Sequence, residues 1–589
     1  MNFKVLAQYY EKLEGTSKRL ELIDILSKLF REAKSDEIGK ICYLIQGRVA
    51  PFFEPIELGM AENMVAQAVG KAFGKTKDEV IKLYRAKGNM GIATSQLANS
   101  KLKTQNSKLS VSDVFSKLLE IANFGGKGSV DKKITTLSDL LKSLDPISAK
   151  HVVNIPLGTL RLGIGDPTVL DSLSLAKHGD KSLRPILEDA YNKTSDLGFV
   201  AETFFKKGIS GIKNVKLVVG KPVRPALAER LPSADEAIKR LGKEFAAEPK
   251  FDGFRVQVHF DRGGGEEGVV QLFSRNLENT THAFPDLVEG VRKSVKAKSV
   301  ILEGEAIAFN PLTSEFLPFQ ETTKRRRKYN IEKMIKELPL VLFAFDLLYL
   351  NGKDIAQKPY RERRKLLESI ISKDGSIVRI AQEKILKSAK GITDFFNEAI
   401  SEGLEGLMLK KLDSPYAAGG RGFHWVKFKR SQAGQLTDSV DCVLLGVYLG
   451  KGKRTEFGVG GLLVGVYDEK KDEFVSISRI GTGLTDEEFR KVNEISKHLK
   501  VERKPARVNS DITPSFWTEP KIVLEVQADE ITRSPIHTAG RDKEGLGYAL
   551  RFPRLVKFRE EDKRAEDATT ISEVIKLYNQ QFSHYKNKK

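Results

Sequence analysis

The sequence predicts a multidomain chain: an all-α first part, an α+β middle, and a small β-barrel followed by a C-terminal helix. Three observations carry this. The chain has 589 residues, several times the roughly 100–200 of an ordinary domain. Its apolar pattern changes from a period of three to four residues to a period of two beyond about residue 220, and closely spaced short strand-like runs begin near Ser431. The boundaries read as 1–220, 221–430 and 431–570, with the closing helix in 571–589.

In the first part Leu20, Ile23, Leu26 and Leu29, with Ile25 and Phe30 beside them, recur at helical steps, and the pattern returns over 111–122 and 183–201. Gly220-Lys-Pro-Val-Arg-Pro225 then reads as a linker or an extended strand. In residues 254–260, Val256 and Val258 point one way while Arg255, Gln257 and His259 point the other, as in a strand. Strand-like runs follow at 270–274, 300–309, 340–350 and 404–411, with a helical stretch at 360–371. Runs at 440–449, 460–467, 474–480 and 521–528 suit a small antiparallel barrel or sandwich. Ile571, Val574, Ile575 and Tyr578 then form one apolar helix face.

Lys and Arg number 98 against 78 Asp and Glu, a net charge of +20, and charged residues make up 30% of the chain. This dense mixture with a cationic surplus points to a polyanionic partner. The 40% hydrophobic content suffices for real cores and argues against wholesale disorder. Two distant cysteines, Cys42 and Cys442, exclude a four-cysteine zinc site and a disulfide framework and suit a reducing compartment. The N-terminal residues carry no apolar stretch of signal-peptide length, and apolar runs such as 339–345 are too short to cross a bilayer. A soluble, cytoplasmic protein is expected.

Two glycine-rich strings are set aside. Gly70-Lys-Ala-Phe-Gly-Lys-Thr76 has its first glycine one residue too close for a phosphate loop, and it follows a helical pattern where a strand is required. Gly263-Gly-Gly265 lies between two strand-like runs among carboxylates that would repel phosphate, so a hairpin loop explains it.

The chemistry lies in an ordered series. Glu248-Pro-Lys-Phe-Asp-Gly-Phe-Arg255 comes first, then Phe273-Ser-Arg-Asn276, Leu302-Glu-Gly-Glu305 and Phe345-Asp-Leu-Leu-Tyr-Leu350. Glu405-Gly-Leu-Met-Leu-Lys410 and Arg421-Gly-Phe-His-Trp-Val-Lys-Phe-Lys429 complete it. Taken singly each string is weak, since Lys-x-Asp-Gly alone describes an ordinary turn. The series in this order resembles the covalent nucleotidyltransferases: ATP-dependent DNA ligases, RNA ligases and mRNA capping enzymes. Further strings narrow the resemblance to replicative-type, especially archaeal, ATP-dependent DNA ligases. They are Pro156-Leu-Gly-Thr-Leu-Arg-Leu-Gly-Ile-Gly-Asp166, Pro318-Phe-Gln-Glu321, Glu530-Ile-Thr-Arg-Ser-Pro535 and Arg551-Phe-Pro-Arg554.

The resemblance implies a helical DNA-binding domain, an adenylation domain and an OB-fold barrel with a terminal helix. It makes Lys250 the nucleophile that takes AMP from ATP. A lysine with an ordinary pKa of about 10.4 must lose its proton to attack, and burial with nearby Arg255, Lys427 and Lys429 is expected to favour that loss. Glu405, with Glu305, would hold Mg²⁺. Glu248 would accept a hydrogen bond from the adenine amine and Phe345 would stack on the ring. Arg255, Arg275, Glu305, Arg421, Lys427 and Lys429 would contact ribose and phosphates. Arg551, Arg554 and Lys563 match the family's last motif, where Lys557 stands in place of a common arginine. The cationic run Lys324-Arg-Arg-Arg-Lys328 reads as solvated or as a phosphate contact.

The expected activity is sealing of 5′-phosphate/3′-hydroxyl nicks in duplex DNA, in replication, repair and recombination, by a monomer associated with the nucleoid. A sliding clamp is an expected partner, with 101–112 the candidate docking segment. RNA ligases and capping enzymes are the alternatives, though neither explains the long helical N-terminal part. A non-catalytic DNA-binding scaffold would have no reason to retain Lys250, Glu405 and Lys427 together. An NAD-dependent ligase is disfavoured, since that class carries a four-cysteine zinc module.

Overall fold

A computed structural model describes residues 1–101, 108–160, 162–230, 234–263, 265, 267–309, 316–317, 322, 324–325, 331–372, 377–401, 404–429, 439–449, 458–481, 484–559 and 563–583. Two compact units divide the chain, Met1–Phe428 and Lys429–Lys589.

The first unit opens with helices from Phe3–Glu14 to Leu197–Lys213, packed around one apolar core. The periodic run at 183–201 proves to be two helices, Arg184–Thr194 and Leu197–Lys213. Ser195 turns into the left-handed region at φ 52°, and the Asp196 carboxylate caps the second helix by accepting from the Phe199 amide. Leu20, which shares the helical spacing of its neighbours, lies 71% exposed, while Leu22, Ile23, Leu26, Leu29 and Phe30 are buried. Residues 70–76 join two helices, as their pattern implied. Gly74 ends Glu62–Phe73 at φ 68°, and Thr76 opens Lys77–Lys87 in a reciprocal cap with Glu79.

Two sheets follow. One is six-stranded and contains Val269–Ser274, Phe254–Asp261, Ser299–Ala308 and Leu340–Leu350 in adjacent order. The other is five-stranded and contains Leu227–Arg230, Arg421–Lys429, Gly406–Lys411, Phe245–Lys250 and Lys384–Leu386 in that order. Residues 263–265 lie in the hairpin between Phe254–Asp261 and Val269–Ser274. The chain passes from the second sheet to the first through Phe251-Asp252-Gly253. A Cβ on Gly253 would sit 2.3 Å from the Ala306 carbonyl oxygen, so this crossing requires glycine.

The alternation in 254–260 has a further outcome. Val256 and Val258 enter the main core, but Gln257 and His259 are buried too, against the segment that follows the helices. The Gly220 amide donates to His259 Nδ1 at 2.9 Å and the Val223 amide to Gln257 Oε1 at 2.7 Å. Burial pushes His259 down to about 3, so the ring is neutral and can accept at Nδ1 while donating from Nε2 to Gln257. The polar face of this strand therefore binds the linker rather than water.

The second unit holds an eight-stranded sheet built on Val440–Tyr448, Gly461–Asp468 and Glu473–Ile480, with Val523–Gln527 and Arg554–Phe558 branching from Val440–Tyr448. Its architecture is OB-like, and among the described residues the hydrogen-bonded path is open and branched. Thr485 and Glu488 cap the inserted helix Asp486–Leu499. The closing helix, Ile571–Ser583, buries Val574. Among the described residues no helix is long and apolar enough to cross a membrane.

Candidate active site

Lys250 ends the strand Phe245–Lys250 and pairs in register with Gly406. The Glu405 amide donates to the Lys250 carbonyl at 2.9 Å, and the two half-buried side chains form an ion pair. Nζ meets a carboxylate, and the guanidinium of Arg255 is engaged elsewhere, donating to the Ala226 carbonyl at 2.7 Å, to Glu303 at 2.6 Å and to the Tyr416 hydroxyl at 3.2 Å.

Glu303 and Glu305 share one face of Ser299–Ala308, opposite Gln257 and Arg255 respectively. Their environments differ. Glu303 is buried and neutralised by Arg255, with Tyr416 donating to it at 2.7 Å. Glu305 is pushed up to about 7, chiefly by burial, which outweighs the pull of Lys250 and Arg255 and is reinforced by Glu405 and Asp252. That one carboxyl senses Lys250, Arg255 and Glu405, so the site brings these four residues together.

The folded chain keeps a proton on Glu305 that the unfolded chain, at the ordinary 4.5, has already released. The favourable contribution of that proton is present at low pH and is lost as pH rises through the window from 4.5 to about 7. Thermal midpoints of the wild type should therefore fall relative to Glu305→Gln across this window and run parallel above it. Parallel curves throughout would refute the assignment.

Phe345 is half-buried on Leu340–Leu350, edge-on to Trp425 with ring centroids 5.8 Å apart. Lys410 Nζ lies 4.8 Å from the Phe345 ring centroid and donates to the Phe345 carbonyl at 3.0 Å. The same ammonium pairs with Glu248 at 2.6 Å. Glu248 is 2% exposed, and it also accepts from the Tyr360 hydroxyl at 2.7 Å and from Arg364 at 3.3 Å. Burial pushes its carboxyl up while Lys410 and Arg364 oppose.

Arg275 is exposed in the turn after Val269–Ser274, at the sheet end where Ser274 pairs with Val256. Arg421, Lys427 and Lys429 stand on one strand, Lys427 half-buried, while the side chains of Arg421 and Lys429 lie outside the described residues. Pattern reading missed Tyr360, Arg364 and Tyr416. Lys410 closes a quoted motif and could have been found there, but Tyr360 and Arg364 carried only a helical signal.

Two carboxylates drawn together beside the lysine are oxygen donors of the kind Mg²⁺ takes, and a dication would oppose the burial and the lesser repulsion that raise Glu305. The cationic run 324–328 is not a uniformly solvated face. Arg325 is 1% exposed and pairs with Asp286 at 2.6 Å, while Arg326, Arg327 and Lys328 lie outside the described residues. Also outside them are 318–321, Arg161 and residues 102–107 of the candidate clamp segment. In the second unit the last-motif cations all have acidic partners: Arg551 with Glu530 at 2.8 Å, Arg554 with Asp529 at 2.6 Å, Lys557 with Glu525 at 3.5 Å, and Lys563 with Asp441.

Three family profiles match the chain: "DNA ligase N terminus" over residues 2–174, "ATP dependent DNA ligase domain" over 225–429 and "ATP dependent DNA ligase C terminal region" over 455–563. A "Probable DNA ligase" of Dictyoglomus turgidum is 51% identical over 578 residues, covering 98% of this chain and 97% of that protein. A "DNA ligase" of Nitrosopumilus maritimus is 44% identical over 582 residues, covering 98% of each. The solved structure titled "Pmar-Lig_PreS3" superposes with a TM-score of 0.55 at 16% identity, covering 94% of this chain and 99% of that one, a likeness of fold. The architecture, the ordered motifs around Lys250 and these relatives agree, and the chain belongs to the family of ATP-dependent DNA ligases.

Proposed function

We propose that Lys250 is the residue that carries AMP in this ligase. The observation that supports it is the convergence of the motif strands on Lys250, whose amine faces Glu405 at the junction of the two sheets. The enzyme seals nicks in duplex DNA with ATP. In the proposed sequence Lys250 attacks the α-phosphorus and pyrophosphate leaves; the 5′-phosphate of the nick then takes AMP from Lys250; the 3′-hydroxyl finally attacks that phosphate and AMP departs.

In this reading Glu405 and Glu305 hold Mg²⁺, which when bound neutralises developing charge on phosphate oxygens. Glu405, which pairs with the Lys250 amine, would be shared between that amine and the metal. Phe345 stacks on adenine and Glu248 accepts from its amine, while Arg255, Arg275, Arg421, Lys427 and Lys429 act on sugar and phosphates. Arg255 does so in part by remaining fixed on Glu303. Residues 1–220, 221–430 and 431–570 act as DNA-binding, adenylation and OB-fold domains, followed by the helix in 571–589. The chain works as a monomer at the nucleoid, with a sliding clamp as partner.

Incubation with α-labelled ATP and Mg²⁺ followed by peptide mapping tests the central step. Label belongs on the peptide containing Lys250, and label elsewhere overturns the assignment. Since a sealing enzyme grips backbone rather than sequence, affinity for a nicked duplex should fall on the order of 10³-fold between about 50 and 200 mM salt. A flat response in a filter-binding titration would contradict backbone gripping.

A further inference from the structure

We propose that Tyr360, which lies on the helix Tyr360–Ile370 and outside every motif string, sets the purine preference of the ligase by fixing Glu248. The inference rests on the reading that Glu248 meets the adenine amine. An ionised carboxylate offers about four lone-pair directions. On Glu248, Oε1 takes the Tyr360 hydroxyl at 2.7 Å and Arg364 at 3.3 Å, and Oε2 takes Lys410 at 2.6 Å. One direction remains, on Oε2.

None of these four residues is more than 6% exposed, so water cannot readily take the place of a lost partner. Lys410 also donates to the Phe345 carbonyl at 3.0 Å, which ties the carboxylate to the aromatic shelf. A carboxylate held this way presents a single lone pair to the six-position of a purine. Adenine offers a hydrogen there. Guanine offers an oxygen, which that lone pair repels.

Tyr360 is the variable part of this cage. Its hydroxyl lies 2.7 Å from Glu248 Oε1 and 2.5 Å from Glu383 Oε2, yet it has one hydrogen to give. When that hydrogen serves Glu248, the carboxylate is a fixed acceptor. Without it, Oε1 keeps an unserved buried lone pair, and the carboxyl can turn or take up a proton and so donate to a six-oxo purine. Tyr360 is thus a positioning residue, acting on the nucleotide through Glu248.

The test uses the full-length enzyme and Mg²⁺, with initial rates of protein labelling from α-labelled ATP and α-labelled GTP. Tyr360→Phe should raise KM for ATP about tenfold and leave kcat at saturating ATP within about twofold. It should also lower the ATP-over-GTP ratio of kcat/KM about tenfold. Glu383→Gln, whose amide can donate to the Tyr360 oxygen and leave the hydroxyl hydrogen to Glu248, should hold or raise that ratio. This second variant carries the test should Tyr360→Phe fail to fold.

Glu248→Gln separates the two layers, because its amide can donate to a six-oxo group. If the ratio does not move in Glu248→Gln, the contact between Glu248 and the purine is wrong. If it moves there but stays at the wild-type value in folded Tyr360→Phe, or falls in Glu383→Gln, the role of Tyr360 is wrong.

Discussion

Lys250→Ala should lose labelling by α-labelled ATP by on the order of 10³-fold or more, the scale on which removal of a nucleophile acts. It should nevertheless seal a nick whose 5′-phosphate already carries AMP. The proposed sequence demands this split: in it Lys250 is consumed in the first displacement and released in the second, while the third joins two ends of DNA with AMP as leaving group. Lys250→Arg sharpens the result. It keeps a cation against Glu405, and hence the ion pair that organises the strand ends, but a guanidinium stays protonated and cannot attack phosphorus. Both variants should therefore be inert to ATP, and Lys250→Arg should match the wild type in thermal midpoint. Labelling of either variant above about one hundredth of the wild-type rate would remove Lys250 from the first step.

Much of this site was legible because its residues sit on strands whose period can be read. The series 248–255, 302–305, 345–350, 405–410 and 421–429 falls on strands or directly beside them, and the glycine of Lys-Phe-Asp-Gly253 is explained by a backbone only 2.3 Å from where its Cβ would stand. What stayed hidden depends on contacts distant in sequence. Periodicity could not register that Ser195 adopts a left-handed conformation and breaks one apparent helix into two. A run of five cations gave no sign that Arg325 is buried against Asp286, 39 residues earlier. Nor could a pattern tell that Gln257 and His259, polar and alternating, face a buried strap of backbone instead of solvent. The motif strings contained both Lys250 and Glu405, but no spacing within either string told that the two side chains pair where their neighbouring strands meet.

The largest expected effect on stability lies next to Phe345. Asp346 and Arg363 are both fully buried and joined twice, Nε to Oδ1 at 2.8 Å and Nη2 to Oδ2 at 2.9 Å. The third nitrogen, Nη1, donates to the carbonyls of Lys358 at 2.6 Å and Ser414 at 3.0 Å. Asp346→Ala leaves this guanidinium in the core with its charge unopposed, which should cost about 3–5 kcal/mol. Replacing both members, Asp346→Leu with Arg363→Met, removes the charge together with its partner, so the double variant should be more stable than Asp346→Ala despite carrying one more substitution. The measurement can be confined to the first unit. The chain has two tryptophans, Trp425 in Met1–Phe428 and Trp517 in Lys429–Lys589. In a Trp517→Phe background, urea unfolding followed by fluorescence reports on Trp425, which packs against Phe345 and Tyr416. A loss under about 1 kcal/mol for Asp346→Ala, or a double variant no better than the single one, would mean that water or a shifted side chain satisfies Arg363. The pair would then hold the strand around Phe345 far less firmly than its geometry implies.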